Sequence, residues 1–185
     1  WLNVSSGSVN LALADQDEES RALVYVLADG TAGLALRDQD GTRRAGLSVL
    51  SDGSPGLSLT GKEGKMRAKL AVFPNGSHGL ILATKDGNTP LEVKVGTNDL
   101  PDVIIRGRGG RRIRLFVQSD GRPALGLVDE TRELRAKLGL EADGRVRLIL
   151  SDKEATERAE LVVLPDGTPR LSLTGHSGKM MWHGP

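Results

Sequence analysis

Hydrophobic and polar residues alternate with period two along almost the whole chain, in short runs separated by turns. Leu57 and Leu59 form one run, and Leu70 and Val72 belong to the next. Alternation of this kind places every second side chain on the same face of a β-strand. Each pair of runs therefore predicts two short strands, with Leu70 and its equivalents at inward positions on one apolar face.

The pattern recurs every 23 residues, which identifies a tandem repeat. Residues 33–55 read GLALRDQDGTRRAGLSVLSDGSP, and residues 56–78 read GLSLTGKEGKMRAKLAVFPNGSH. We assign residues 1–185 to a single β-repeat domain. Its units are 10–32, 33–55, 56–78, 79–101, 102–123, 124–146 and 147–169, with partial units 1–9 and 170–185.

Glycine turns of two classes separate the runs, for example Asp38-Gln39-Asp40-Gly41 and Ser51-Asp52-Gly53. Both are typical of a type I turn whose last residue takes a positive φ. Tight turns at both ends of the strands predict an all-β antiparallel meander of about 17 strands. A two-walled β-solenoid is the alternative, because its walls would bury the same leucines. A flat sheet would leave its apolar face in water, so we expect the sheet to curl, to close or to pack on a partner.

Composition narrows the class of protein further. Hydrophobic residues make up 38% of the chain, charged residues 26%, and the net charge is +1. This is typical of a globular protein without a global attraction to nucleic acid or anionic membranes. Because there is no cysteine, disulfides and cysteine-ligated metals are excluded. No apolar run approaches the length of a membrane-spanning helix, and no signal peptide is visible.

The repeat consensus, approximately GLxLxDxxGKxRAxLxVxxDGxPxL, resembles repeats found in a large group of uncharacterised bacterial proteins. The closing segment Gly178-Lys179-Met180-Met181-Trp182-His183-Gly184-Pro185 is similar to their usual ending, and the turns depart from the consensus around residues 97–114. Such proteins often carry an N-terminal signal or membrane anchor. The resemblance therefore implies an extracytoplasmic location, with any membrane association made through an upstream anchor. The start at Trp1 instead of Met is compatible with that expectation.

The face opposite the leucines is small or charged in the middle units but becomes apolar near the N-terminus. Trp1, Leu23 and Tyr25 are expected on neighbouring strands there. An exposed apolar patch usually marks a partner or a missing piece of the same chain. We predict these three residues as a partner-docking patch, and the alternative is that the sheet covers them internally.

Five arginines within nine residues surround the irregular turn of the fifth unit, namely Arg106, Arg108, Arg111, Arg112 and Arg114. Their concentration indicates contact with a polyanion or with an acidic protein face. Phe116 is expected on the same face as Arg114, where the two could stack. The alternative is a solvated cluster balanced by acids such as Asp99, Asp102 and Asp120.

Residues that could carry chemistry occur in patterns that turn geometry already explains. The aspartates of the Asp-Gly turns should line one rim, but one carboxylate per turn does not make a calcium cage. The three histidines, His78, His176 and His183, lack metal-ligand spacing. We expect no catalytic residue, no cofactor and no metal.

These observations predict a non-catalytic structural or protein-interaction module, a subunit or surface component of a larger bacterial assembly or filament. Protein partners or self-association are expected, and nucleic acid is not. The alternative function is polyanion binding, to nucleic acid, acidic glycan or lipid headgroup, through the arginines of residues 106–114.

Overall fold

The computed structural model describes residues 2–5 and 7–184, which form 17 β-strands and one short 3₁₀ turn. Two compact units divide the chain, Trp1–Asp99 and Leu100–Pro185. The boundary between them falls at the start of the stretch where the turn consensus is lost. Whether the chain is one domain, as the repeat pattern predicts, stays a prediction.

The first unit contains nine strands that pair in chain order. They are β1 (Leu2–Ser5), β2 (Ser8–Ala14), β3 (Ser20–Val26), β4 (Ala32–Arg37), β5 (Arg43–Val49), β6 (Pro55–Thr60), β7 (Met66–Val72), β8 (His78–Leu82) and β9 (Leu91–Val95). Every neighbouring pair is antiparallel.

The second unit contains eight strands arranged in the same way. They are β10 (Pro101–Arg106), β11 (Arg112–Val117), β12 (Pro123–Val128), β13 (Leu134–Leu140), β14 (Val146–Ser151), β15 (Glu157–Val163), β16 (Pro169–Thr174) and β17 (Met180–Gly184). The 3₁₀ turn Arg108–Gly110 joins β10 to β11. The antiparallel order confirms the predicted meander, with two strands in each 23-residue unit, and excludes the solenoid.

Tight hairpins connect the strands, and glycine makes most of them possible. In the Leu27–Thr31 turn, Leu27 N–H donates to the Thr31 carbonyl over 2.8 Å and Gly30 N–H donates to the Leu27 carbonyl over 2.9 Å. Gly30 has φ +85°, a conformation in which a Cβ would clash. These are the hydrogen bonds of a type I turn followed by a bulge, as the Asp-Gly pattern predicts.

Directly opposed residues on antiparallel strands share a face, so the strand register separates the side chains into two faces. We call the face that carries the regular leucines and valines the leucine face. Its central row in the first unit is Leu2, Leu11, Val24, Leu34, Leu47, Leu57, Leu70, Leu80 and Val93. We call the opposite face, which combines small, charged and a few large apolar residues, the mixed face.

Neither unit closes its sheet. Among the described residues, β1 and β9 do not pair with each other in the first unit, and β10 and β17 do not pair in the second. Each unit by itself is a single-layer sheet, so the closure allowed for by the sequence pattern is not present within either unit. Its residues of lowest exposure lie on the mixed face, among them Ala12, Ala35, Ala71 and Val162.

Candidate interaction surface

The leucine face is the main exposed apolar surface of the first unit. Along its central row the exposed fraction ranges from 37% at Leu34 to 69% at Leu2. Leu70, which the sequence pattern places at an inward position, is 54% exposed. The pattern thus identified the correct set of side chains, but no second layer covers them.

The second unit repeats the arrangement. Its central row is Val103, Leu115, Leu125, Leu138, Leu148, Leu161 and Leu171. A second row beside it contains Ile105, Ile113 and Leu127, and it ends at Leu173 opposite Trp182 on β17. Most of these side chains are also exposed, including Leu115, Leu161 and Trp182.

Among the residues that the structure describes, the rows of the leucine face contain no Asp, Glu, Lys or Arg side chain in either unit. In the first unit they present on the order of 1,000 Å² of apolar surface, whereas the largest patch on a typical soluble monomer is about 300–600 Å². The leucines and valines of this face can be buried only if another surface covers them. Its extent and its uniform chemistry are typical of an interface.

The mixed face is less exposed because its long side chains lie over small residues on neighbouring strands. The Tyr25 ring covers Gly33, with its hydroxyl 2.6 Å from the position that a Cβ at residue 33 would take. The Arg43 guanidinium covers Gly46 in the same way. Ala12 and Ala35 are only 4% and 3% exposed beside these long neighbours. One layer therefore shields its mixed face but not its leucine face.

The predicted docking patch lies on the mixed face. Leu23 stands between Ala12 and Ala35 in the register, and Tyr25 stands between Asn10 and Gly33. Leu23 and Tyr25 are both half-buried, while Trp1 lies outside the described residues. The structure thus brings Leu23 and Tyr25 together on adjacent positions, and their docking role stays a prediction.

The register places Arg106, Arg112 and Arg114 of the predicted polyanion site on the mixed face. Arg111 pairs with Glu130 over 2.7 Å, and Arg114 makes a two-point contact with Asp102, its Nη2 lying 2.7 Å from Oδ2. The Arg114 guanidinium also lies 4.7 Å from the centre of the Phe116 ring, which confirms the predicted stacking. These two arginines are therefore largely neutralised by their own chain.

The other three arginines lie around the irregular turn. Arg108 is exposed in the 3₁₀ turn, and Arg106 lies directly opposite Arg112 across β10 and β11. A depression of about 420 Å³ is lined by Arg106, Arg111 and Arg112, and it also contains Asp129 and the apolar side chains of Ile105, Ile113 and Leu127. Like charges opposed across a strand pair are destabilising unless an anion or an acidic group lies near.

The aspartates of the Asp-Gly turns are used by the turns themselves. Asp52 Oδ1 accepts the Ser54 N–H over 2.8 Å, and Asp166 Oδ1 accepts the Thr168 N–H over 2.9 Å. Asn75 makes the same bond to Ser77 over 3.1 Å. These backbone donors hold the pKa values of Asp52 and Asp166 below the ordinary range. The carboxylates are capping groups, one to each turn.

The Asp-x-x-Gly turns at the other rim contain a contact that the sequence analysis missed. Asp38 Oδ1 accepts the N–H groups of Asp40 and Thr42, and its Oδ2 accepts Arg44 Nε over 2.5 Å. Arg44 then donates to the carbonyl of Gly61 in the next repeat. Desolvation raises the pKa of Asp38, but Arg44 and the backbone donors together outweigh it, so the pKa lies below its usual value.

We call this contact, in which one arginine joins a turn aspartate to a carbonyl of the next repeat, an arginine rung. It recurs along the chain. Arg21 joins Asp15 to the Asp38 carbonyl, and Arg158 joins Asp152 to the Gly175 carbonyl. In unit 56–78, Gly61 takes the place of the aspartate, and Arg67 donates instead to the carboxylate of Glu63 over 2.7 Å. The signal was present in the sequence as an arginine at the same position of most units.

Two classes of feature are missing from the described part of the chain. Residues 2–5 and 7–184 contain no cluster of three or more His, Asp or Glu side chains suited to holding a metal ion. None of their helices has the length and apolar character needed to cross a membrane.

Comparison with known proteins does not assign the chain to a family. No protein-family model matches it, and no curated protein matches it. Among solved structures it is similar to the TCP domain of SAS-4 (dCPAP) from Drosophila melanogaster, solved in complex with a proline-rich motif of Ana2 (dSTIL). The identity is 13%, the similarity covers 88% of each chain, and the TM-score is 0.48. At this level of similarity, nothing about the present chain follows from that structure.

Proposed function

We propose that this protein is a non-catalytic protein-interaction module that binds through its leucine face. The observation that carries the proposal is a single-layer sheet whose leucines and valines stand in continuous, uncharged rows and are close to half exposed. Hydrophobic burial is the main driving force of most protein association, and it acts in proportion to the apolar area covered. A repeat sheet supplies that area on a surface whose side chains are held at regular spacing.

The experiment compares two substitutions on adjacent residues of β5 in an extract of the cells that make the protein. Leu47→Lys places a charge on the leucine face, and Ser48→Lys places the same charge on the mixed face. Wild type and Ser48→Lys should elute in gel filtration well above the 19.7 kDa of one chain, whereas Leu47→Lys should shift towards it. Equal elution of all three proteins would contradict the proposal.

Polyanion binding remains a second candidate because Arg106 and Arg112 oppose each other directly and Arg112 Nε is buried without a hydrogen-bond partner among the described residues. Retention on heparin that falls as salt rises, and that Arg108→Ser with Arg112→Ser removes, would support it. The pairing of Arg111 with Glu130 and of Arg114 with Asp102 favours the interaction module instead.

We also propose an extracytoplasmic location, which rests on the resemblance of the repeats to those of bacterial proteins that carry a signal or anchor. Fractionation of the producing cells tests it. The protein should be released with periplasmic or surface material, and recovery with the cytosol would contradict the proposal.

A further inference from the structure

We infer that the leucine face is covered by a second copy of this chain, in a face-to-face sandwich of two sheets. The inference rests on the proposed function and names its partner. Three properties of the described residues carry it, namely the amount of surface, its chemistry and its periodicity.

The amount of exposed surface is too large for a chain that acts alone. The chain exposes 11918 Å². Two separate compact bodies, each of half its mass, would together expose roughly 10,000 Å². The leucine face of the first unit alone offers on the order of 1,000 Å², and a stable interface needs about 800 Å² from each partner. One unit's face is therefore large enough for a stable dimer.

The chemistry of the face selects an apolar partner. Because the rows contain no charged side chain, an acidic or basic partner surface would lose its hydration and gain no opposite charge. The mixed face of a second copy is unsuitable for this reason, since it carries Lys69, Glu92, Arg147 and Glu160. The leucine face of a second copy has no such groups.

The periodicity of the face suits a sandwich. Every strand contributes one residue to the central row, so the apolar ridges recur at the strand spacing of about 4.8 Å. Two such faces have ridges and grooves of the same period and can interdigitate about 10 Å apart, as paired sheets do. A two-fold axis makes the contact self-complementary, so each face that pairs in this way joins two chains and no more.

Sedimentation equilibrium of the purified chain tests the inference. The wild type should have twice the 19.7 kDa mass, and this mass should persist when salt is raised from about 0.1 M to 1 M because the contact is apolar. Leu47→Lys should weaken association by about 100-fold, since it leaves an unpaired charge in the interface. Ser48→Lys on the same strand should leave the mass unchanged.

A second measurement avoids substitutions and therefore any loss of folding. NMR spectra of a mixed sample of methyl-labelled and unlabelled wild-type chains should show intermolecular NOEs between leucine and valine methyls of the central row. A dimer without such contacts, or one that Leu47→Lys does not weaken, would overturn the inference.

The remaining outcomes separate this inference from the proposed function. A purified monomer that binds a hydrophobic dye, but whose complex in extract still depends on Leu47, would exclude the second copy and leave the interaction module intact. A purified monomer that binds no dye, with extract elution unaffected by Leu47→Lys, would overturn both.

Discussion

At the residue scale, four turn positions in the described part of the chain have a positive φ without a glycine. They are Glu18 (62°), Asp99 (58°), Arg132 (74°) and Ala155 (61°). The turns equivalent to those of Glu18, Arg132 and Ala155 use Gly41, Gly64 and Gly87, with φ of 72–85°. A Cβ in this conformation crowds the following carbonyl, at a cost of about 1 kcal/mol or more. The repeat thus keeps the same turn geometry even where the residue with the positive φ is not glycine.

Ala155→Gly should stabilise the protein, because glycine adopts the native φ without this crowding. We expect a gain of about 1 kcal/mol in the free energy of unfolding, or roughly 2–4 °C in Tm for a chain of this length. The matched control is Gly144→Ala, which introduces the same crowding at φ 84° and should lower Tm. Loss of stability in Ala155→Gly would show that the backbone does not take this conformation.

Acid should destabilise the fold through the turn carboxylates. The folded pKa values of Asp52, Asp143 and Asp166 lie below their ordinary value, chiefly because side-chain and backbone donors bind the ionised form. A group with a lowered folded pKa contributes stability above its unfolded pKa and loses it as pH falls through the folded pKa. The urea midpoint should therefore be constant near neutrality and fall below about pH 4.

Asparagine substitutions isolate this effect. Asn75 already caps its own turn in the same way, so Asp52→Asn and Asp166→Asn should keep the cap and remove the titration. The double variant should show a shallower fall of the urea midpoint between pH 5 and acid than the wild type. An identical acid profile would mean that these carboxylates do not drive acid unfolding.

At the element scale, the arginine rungs tie each hairpin to the next. Arg44 donates to Asp38 within its own turn and to the Gly61 carbonyl of the following repeat. A planar guanidinium can donate to both acceptors at once. A lysine ammonium on its flexible stem cannot make the same pair of hydrogen bonds in a fixed geometry. The rung contributes to the connection between repeats at the rim, where side-chain packing is sparse.

Arg44→Lys should therefore lower the free energy of unfolding by about 1 kcal/mol, as expected for a partly exposed, charge-assisted contact. The control is Arg43→Lys, because Arg43 covers Gly46 on the mixed face and a lysine stem can cover it as well. Urea titration of both variants measures the difference. Equal effects of the two changes would argue against a special role for Arg44.

Strands, turns and faces could be predicted from the sequence because each depends on short-range rules. Period-two alternation assigned Leu57, Leu59 and Leu70 to one face, and the Asp-Gly pairs located the hairpins. The arginine rungs could not be predicted from the sequence, because each one joins positions 17 residues apart, such as Arg44 and Gly61. The acceptor is a backbone carbonyl, which has no sequence signature.

At the scale of the whole molecule, the sequence could not show which face the chain itself covers. Alternation distinguishes the two faces, but burial depends on whether a second layer is present. In a single layer, small residues such as Ala12 and Ala35 are buried under their long neighbours while the leucines stay exposed. The most hydrophobic face of this chain is therefore available for an intermolecular contact.

Cysteine labelling at two adjacent residues tests the coverage of the leucine face most directly, because the chain has no cysteine of its own. Lys69 and Leu70 are neighbours on β7 that belong to opposite faces, and Leu70 is 54% exposed in the single chain. If a partner covers the leucine face, Leu70→Cys in the native protein should react with a maleimide much more slowly than Lys69→Cys, and the two should react alike in urea. Leu70→Cys that labels as fast as Lys69→Cys in the native assembly would contradict the account.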